Sequence, residues 1–544
     1  MGKARAKDRA KDKPPEAEAP PPPSEREPEA PPRAGTPAPT PAAAAAPAPF
    51  QSTSLGFAAL ALAAAFILVF VIVGVQRLRY PFALEWMEGG MLGEMRWLLE
   101  GHNLYVRPSV DYVPFIYNPL YFWVCGAVAK VLGASFFTMR LVSYLSALGT
   151  MGLLYKLVSI ETEEKVMGIV AAGLYASTFK VTQQFMDIAR VDSLFVLLAM
   201  ASLWVLRTRP TAKGRALAAV LLVLCFLAKQ SGLFVAAPIV VFVLWDGVRG
   251  AKTTAERLRG VPFAAIVGGG ILGSALLLDA TSDGWYRYFA FELPSGHRLV
   301  PWMWWEFWTA DLMAPLGCAC VGALFVLFGP SGMPRRVREL WAAALAGLVL
   351  CAWSGRLHDG GWTNVVMPAY AILSALFAIA LHGGLTFARA AAPDTRRSVQ
   401  AFVALLGLVQ LAVSIYDPRH VVPTRRDEAA GWDVVAALRG AQGDTFAPSD
   451  NYLSEMAGKH GTLHQMAVDD ILRGGESEVR TKLIEDLRAA FHDHRWAMVV
   501  TDNDFFAAEV LANYQRGPIS VKDADTFFPV TGVHIRPGWI YLPK

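Results

Sequence analysis

Apolar runs separated by short polar segments dominate the chain from residue 55 to residue 416. They cover approximately 55–75, 140–158, 166–183, 193–206, 216–228, 232–246, 261–278, 312–328, 340–353, 365–381 and 400–416. A run of about 20 apolar residues is long enough to cross a bilayer as a helix. The pattern therefore predicts a mainly α-helical, polytopic membrane bundle of about 11 transmembrane helices.

Three segments have a different pattern. Residues 1–50 are rich in proline and alanine, with 14 of each, and lack an apolar period, so we expect a disordered tail. Residues 80–139 form a long first loop after the first run. Residues 417–544 are charged and ordinary in composition, with strand-like runs at 445–448 and 497–501 and a helical pattern at 478–491. We predict a membrane domain at 51–416 and a small soluble α/β domain at 417–544.

Composition supports this division. Of the 544 residues, 54% are hydrophobic and only 18% are charged, whereas soluble domains carry about 25% charged residues. The net charge of +4 is small and no basic stripe is present, which argues against nucleic-acid binding. The five cysteines lie in apolar runs without metal-ligand spacing, so packing is the expected role.

The distribution of basic residues predicts the orientation. Six Lys or Arg residues lie in the first 13 positions, which favours a cytoplasmic N-terminus. Alternation then places the basic loops near 207–215, 249–259, 335–338 and 389–397 inside. Eleven crossings put residues 80–139 and 417–544 outside the cytoplasm. The acidic loop at 161–164 is also placed inside, because acids carry little weight in this rule.

The first loop carries two acids just beyond the first run. Glu85 and Glu88 are three residues apart, a spacing that places them on one face of a helix start. Leu92 and Met95 then recur at helical spacing, which predicts an amphipathic helix on the membrane surface. The acids fit either a catalytic pair or a solvated helix cap, and the spacing alone leaves both open.

Further charged residues lie at the same predicted side. Arg190 and Asp192 precede the fourth run, where Asp192 could also serve as a helix cap. Lys229 and Gln230 stand between two apolar runs. A lysine there either snorkels to the interface or meets an anion such as a lipid phosphate.

Two later loops join polar and aromatic residues. His297 and Arg298 are followed by Trp302, Trp304, Trp305 and Trp308, a composition that suits a sugar but also an interfacial tryptophan belt. A last loop carries His358 and Asn364. The GGGILG run at 268–273 lies inside an apolar segment and is read as helix packing, not as a nucleotide site.

The order of these motifs resembles the GT-C superfamily of multi-spanning transferases, which take sugars from polyprenyl-phosphate carriers. The resemblance rests on the first run, the acidic pair, a surface helix, Gly101-x-x-x-Tyr105 and the aromatic segment that starts at Tyr117 and contains Asn-Pro-Leu-Tyr. The order of spans and loops resembles that of the superfamily over residues 55–416. Within the superfamily, the chain is most similar to bacterial enzymes related to protein O-mannosyltransferases and lipid A aminoarabinose transferases. Members of the superfamily usually carry Asp-Glu in this loop, with an Arg eight residues later. This chain has Met87-Glu88 and Arg96, so the customary Asp is missing.

The resemblance implies roles for individual residues. Glu88 is expected as the general base, with the displaced Glu85 as the alternative, and Asp192 as an orienting or second acid. Donor-phosphate binding is expected from Lys229, Arg140, Arg190, Gln230, His297 and Arg298. The substrate-loop residues are Tyr117, His358 and Asn364.

The function implied is inverting transfer of a hexose or pentose from a polyprenyl-phosphate donor. The acceptor would be an envelope glycan, lipid or protein at the outer face of a bacterial inner membrane. No cofactor or nucleic-acid partner is indicated, and the scattered acids do not specify a divalent metal. The alternatives are a transporter or flippase for a lipid-linked or small solute, and a membrane-anchored sensor. Transporters usually show internal repeats and charges at the bilayer midplane, whereas the charges here gather at one face.

Overall fold

A computed structural model describes residues 50–330, 332–390, 392–501 and 505–544. The predicted disordered tail lies outside the described residues, apart from Phe50. The described part is mainly helical, as expected, with one small sheet near the C-terminus.

The bundle follows the apolar runs closely. Polar N-caps fix several helix starts, as at Thr53 and Ser135, whose side chains accept from backbone amides of the first turn. The helices of the bundle are Ser54–Leu78, Phe136–Thr162, Lys165–Ser177, Asp192–Thr208, Ala212–Ala228, Gly232–Val248, Val261–Ala280, Ala314–Phe328, Arg335–Leu357, Met367–Phe387 and Pro393–Ala412.

Each of the eleven expected spans coincides with one of these helices, but they differ in length. Six are long and apolar enough to cross a membrane, in the segments Ser54–Leu78, Phe136–Thr162, Thr254–Ala280, Met303–Phe328, Arg335–Leu357 and Thr363–Phe387. Among the described residues, the number of crossings therefore stays a prediction. Met367–Phe387 lies at the centre of the bundle, where nearly all its side chains are buried.

The two ends of the bundle differ in their charges. At the end away from residues 80–139, Arg207 pairs with Glu161 over 2.6 Å and Arg336 pairs with Asp246 over 2.7 Å. The Arg207 contact gives the acidic loop a basic partner. We call the opposite end, which carries residues 80–139, the loop end.

Two helices lie in the 80–139 segment, Glu88–Leu99 and Leu120–Leu132. The first has the expected amphipathic pattern, and its apolar side chains Met91, Leu92 and Met95 are buried in a hydrophobic cluster with Leu463 of the C-terminal segment. Its apolar face is therefore covered by protein.

The C-terminal segment has the α/β character expected from its sequence. Its helices are Arg425–Gly440, Gln465–Arg473, Glu478–His492 and Ala507–Asn513, with a short helix at Tyr452–Met456. The strands β1 (Thr445–Phe446), β2 (Met498–Thr501), β3 (Tyr514–Ile519) and β4 (Trp539–Pro543) form a sheet of order β1-β2-β4-β3. Only β1 and β2 are parallel. The sheet and the first loop share one apolar cluster, which holds this segment against the loop end.

Candidate functional site

Glu88 is the most completely bound acid at the loop end. Its carboxylate is fully buried and accepts two hydrogen bonds from Arg140, at 2.9 and 2.6 Å. The backbone amides of Leu84 and Ala189 donate to it over 2.6 and 2.7 Å. The Arg140 charge and these bonds lower the pKa of Glu88, although burial opposes the shift. No oxygen of Glu88 is left for an acceptor hydroxyl.

The N–H groups of Arg140 are likewise all hydrogen-bonded. Besides Glu88, its guanidinium donates to the carbonyl oxygens of Arg77, Tyr80 and Phe82, at 3.2, 2.7 and 2.5 Å. Its side chain is fully buried. The expected contact of Arg140 with a phosphate therefore has no donor available, and the residue serves instead to tie the first loop to the 136–162 helix.

Glu85 has a different environment, because it precedes the 88–99 helix and does not share its face with Glu88. Its Oε2 accepts from Arg190 and from the Met87 amide, both over 3.2 Å. Burial raises the pKa of Glu85 to about 7, against the opposing effect of Arg190. A carboxyl group with this pKa exchanges its proton readily near neutral pH.

Arg190 links Glu85 to the aromatic segment of the first loop. It donates to the Tyr117 hydroxyl over 2.6 Å, and its guanidinium lies 5.3 Å from the centre of the Tyr117 ring. Arg190 and Tyr117, expected separately from the sequence, thus form one cluster with Glu85.

Asp192 and Lys229 form a second cluster. The Lys229 ammonium donates to Asp192 over 2.7 Å, and the Asn364 amide donates to the other carboxylate oxygen over 2.9 Å. Asp192 lies in the first turn of its helix, where its charge also complements the helix N-terminus. Lys229 keeps 14% of its side chain exposed. A cavity of about 50 Å³ lies beside the pair.

Gln230 is occupied by the backbone. Its amide nitrogen donates to the carbonyl oxygens of Ile116 and Ala290, at 2.6 and 3.3 Å, so this group positions the loop. The expected phosphate contact has no free Gln230 donor in this arrangement.

His297 and His358 come together with their ring centres 4.8 Å apart. Each ring has a nitrogen bonded to a backbone carbonyl, His297 to Asp470 at 2.8 Å and His358 to Pro294 at 3.0 Å. Arg298 is exposed, as are the four tryptophans that follow. The histidines thus border the site, whereas Arg298 lies on the surface.

Two buried acids of the site were not singled out from the sequence. Asp187 is paired with Arg77 at 2.8 Å, and Asp470 comes from the C-terminal segment. Burial raises the pKa of Asp470 to about 7, with Arg473 and Arg190 near enough to oppose the shift. An arginine at the end of the first span could have predicted an acidic partner, but nothing local marks Asp470.

The cluster around Arg190 can transfer protons and bind anions. Glu85 and Asp470 titrate near neutral pH, while Arg190 and Lys229 supply fixed positive charge at the loop end. Among the described residues, no group of three His, Cys, Asp or Glu side chains has the arrangement of a metal site.

Comparisons with known proteins agree with this architecture. The family model for dolichyl-phosphate-mannose-protein mannosyltransferase matches residues 113–267, the segment that contains Tyr117, Arg190, Asp192 and Lys229. A search of curated proteins found no significant match.

Solved structures match over most of the chain. The crystal structure of ArnT from Cupriavidus metallidurans bound to undecaprenyl phosphate is similar with a TM-score of 0.56 and 14% identity, covering 90% of this chain and 98% of that one. The archaeal oligosaccharyltransferase AglB from Archaeoglobus fulgidus, in complex with an inhibitory peptide and a dolichol-phosphate, is similar with a TM-score of 0.52 and 10% identity. This match covers 83% of this chain and 71% of that one. The chain therefore has the GT-C fold, and its resemblance to the GT-C superfamily of membrane glycosyltransferases is confirmed.

Proposed function

We propose that the chain is a membrane glycosyltransferase that moves a sugar from a polyprenyl-phosphate donor to an envelope acceptor. The observation that carries this proposal is Glu85, a buried carboxyl group with a pKa of about 7 beside the fixed positive charge of Arg190. A base and an anion-binding group are the two elements that displacement of a phosphate by a hydroxyl requires.

In the proposed reaction, Glu85 and not Glu88 takes the proton from the acceptor hydroxyl. The acceptor oxygen attacks the anomeric carbon of the sugar while the bond from that carbon to the phosphate oxygen breaks. Attack from the face opposite the leaving group inverts the anomeric centre. The lipid phosphate leaves with the bonding electrons, and Arg190 and Lys229 stabilise its charge. Asp192 holds Lys229 in place.

A lipid-linked donor is supported by an apolar groove of about 720 Å³ near the loop end. It lies between the 232–248 and 261–280 helices and is lined by Phe226, Tyr286 and Arg287 among others. Phe226 is three residues from Lys229. We infer that a prenyl chain in this groove places its phosphate near Lys229.

The C-terminal segment covers Glu85. Gly532 lies against this side chain, with a positive φ of 73°, and a Cβ there would come within 3.1 Å of Cγ of Glu85. Thr531 donates its amide to the Leu84 carbonyl over 3.0 Å. We infer that the contact between Gly532 and Glu85 opens when the acceptor binds.

The orientation proposed is a cytoplasmic N-terminus and an extracytoplasmic loop end, in a bacterial inner membrane. It rests on the basic loops at the opposite end of the bundle. Reporter fusions at Lys213 and at Lys544 should label opposite sides, and labelling of both on one side would remove the site from the proposed face.

The function is tested with the purified protein and a panel of polyprenyl-phosphate sugars, using envelope extracts as acceptors. We expect transfer from at least one donor, loss of transfer in Glu85→Gln, and normal transfer in Glu485→Gln, an exposed control. Absence of transfer together with movement of the lipid across proteoliposome membranes would overturn the proposal in favour of a flippase.

A further inference from the structure

A separate pocket of about 350 Å³ lies between the 88–99 helix and the C-terminal segment. Its size lies within the range of small-molecule sites, about 300–1,000 Å³. It is open at a rim that carries Glu100 and His460, and its interior is lined by Glu94, Trp97, Tyr112, Asn451 and Thr462. None of these residues belongs to the Glu85 or Asp192 cluster.

One wall of the pocket is aromatic. The rings of Trp97 and Tyr112 are stacked with centres 4.3 Å apart and planes 5° apart. Tyr112 is held by a hydrogen bond from its hydroxyl to the Leu104 carbonyl, at 3.0 Å. The wall is therefore rigid, and its apolar surface suits the C–H faces of a sugar ring.

The interior carries polar groups that lack protein partners. The Thr462 hydroxyl and the Asn451 carbonyl oxygen are buried and have no hydrogen-bond partner among the described residues. Both side chains are more than nine-tenths buried, at 7% and 3% exposure. An unpaired buried polar group costs about 1–3 kcal/mol, so a small shift of the lining side chains that lets a ligand bond to these two atoms recovers that cost.

Glu94 adds a third such group. One of its oxygens accepts from the Phe115 amide, and the described residues provide no hydrogen bond to the other. Burial raises the pKa of Glu94 to about 8, so the carboxyl group is mostly protonated at neutral pH. A protonated carboxyl group both donates and accepts, as sugar hydroxyls do.

Arg96 is paired with Glu455, and burial lowers the pKa of His464 to about 4, which keeps this ring neutral. Lys459 also lines the pocket, and its ammonium donates to the Ala441 carbonyl over 2.6 Å. The lining acids Glu100, Asp111 and Glu455 outnumber the cations Arg96 and Lys459, which disfavours an anionic ligand. We propose that this pocket binds a neutral saccharide of one or two units.

The pocket lies one layer of side chains away from the Glu85 cluster. His464 borders it and bonds to the Trp86 carbonyl at 3.0 Å, and the ring of Phe115 lies 6.0 Å from that of Tyr117, the partner of Arg190. A saccharide bound here would be the part of a glycan acceptor that precedes the reacting hydroxyl. This acceptor role rests on the function proposed above, whereas saccharide binding itself does not.

Binding is measured on the full-length protein in detergent without any lipid donor, so the result is independent of transfer activity. The probes are glucose, mannose, N-acetylglucosamine, maltose and cellobiose, followed by saturation-transfer NMR and by titration of tryptophan fluorescence. The variants are Thr462→Val, which removes the unpaired hydroxyl with little change of shape, and Glu94→Gln, which keeps an acceptor for the Phe115 amide. Thr386→Val, at another unpaired threonine hydroxyl far along the chain, is the matched control.

We expect at least one probe to bind, with affinity reduced tenfold or more in Thr462→Val and unchanged in Thr386→Val. Glu94→Gln should show a smaller loss, because its amide still donates to a ligand but no longer accepts from one. Thr462→Val should keep the thermal stability of the wild type, because its hydroxyl has no partner to lose. The proposal is overturned if no probe binds, if all variants bind alike, or if the control loses binding as well. Should Glu94→Gln fail to fold, Thr462→Val alone decides the matter.

Discussion

Replacing each acid of the first loop with glutamine should separate a structural carboxylate from a reactive one. Glu88→Gln removes the charge that neutralises Arg140 while the guanidinium stays fully buried. Breaking a buried ion pair in this way costs about 3–5 kcal/mol. We therefore expect Glu88→Gln to be poorly folded, with any loss of transfer following the loss of folded protein.

Glu85→Gln should have the opposite profile. With a pKa of about 7, Glu85 is half protonated at neutral pH. Burial has raised this pKa from 4.5, so the folded state favours the neutral form, and replacement by neutral glutamine should not lower the stability at pH 7. The folded protein should persist, but transfer should fall by about 10² or more because the base is gone.

The assay combines thermal unfolding in detergent with transfer rate per mole of folded protein, measured for the wild type, both variants and Glu485→Gln as the control. The reasoning is refuted if Glu88→Gln is as stable as the wild type and inactive while Glu85→Gln transfers normally. That result would return the role of base to Glu88.

Three further outcomes are expected. Because Glu85 must be deprotonated to act, the transfer rate should rise with pH through about 7 and level off above it, and this rise should disappear in the residual activity of Glu85→Gln. Lys229→Gln should weaken binding of undecaprenyl phosphate by about 1.5–3 kcal/mol, and Lys229→Arg should keep only part of the wild-type affinity. Equal affinities of the wild type and both variants would contradict phosphate binding by Lys229. Gly532→Ala should destabilise the protein by about 1 kcal/mol, because the φ of Gly532 is positive and Glu85 leaves little room for a Cβ. Gly440→Ala should not destabilise it, because a Cβ at Gly440 meets no atom within 4 Å. Calorimetric or fluorescence melting of the two variants distinguishes these outcomes.

The helices could be predicted because apolar runs and polar interruptions are local features. Every expected span coincides with a helix, and the strands near residues 445 and 498 were also expected. The number of crossings was not obtained in this way, because helices such as Lys165–Ser177 are short and packed within the bundle.

The pairing of charges could not be predicted from spacing. Glu85 and Glu88 are three residues apart, yet the helix begins at Glu88, so the two acids face different arginines. The family pattern favoured Glu88, whereas its contacts are those of a structural ion pair. Asp470 lies 280 residues from Arg190 along the chain, and only tertiary packing brings it near.

Arg77 has a consequence for the order in which the protein is assembled. Its buried guanidinium, at the end of the first span, donates to Asp187 at 2.8 Å, to the Gln184 carbonyl at 3.1 Å, to the Val421 carbonyl at 2.7 Å and to the Thr531 hydroxyl at 3.0 Å. These partners emerge from the ribosome at three widely separated times, and Thr531 follows Arg77 by 454 residues. The 54–78 helix thus carries a cation whose four bonds form only after the C-terminal segment has been synthesised. Folding of that segment is thereby tied to the 54–78 helix, so a chain truncated before Thr531 keeps an incompletely satisfied buried arginine.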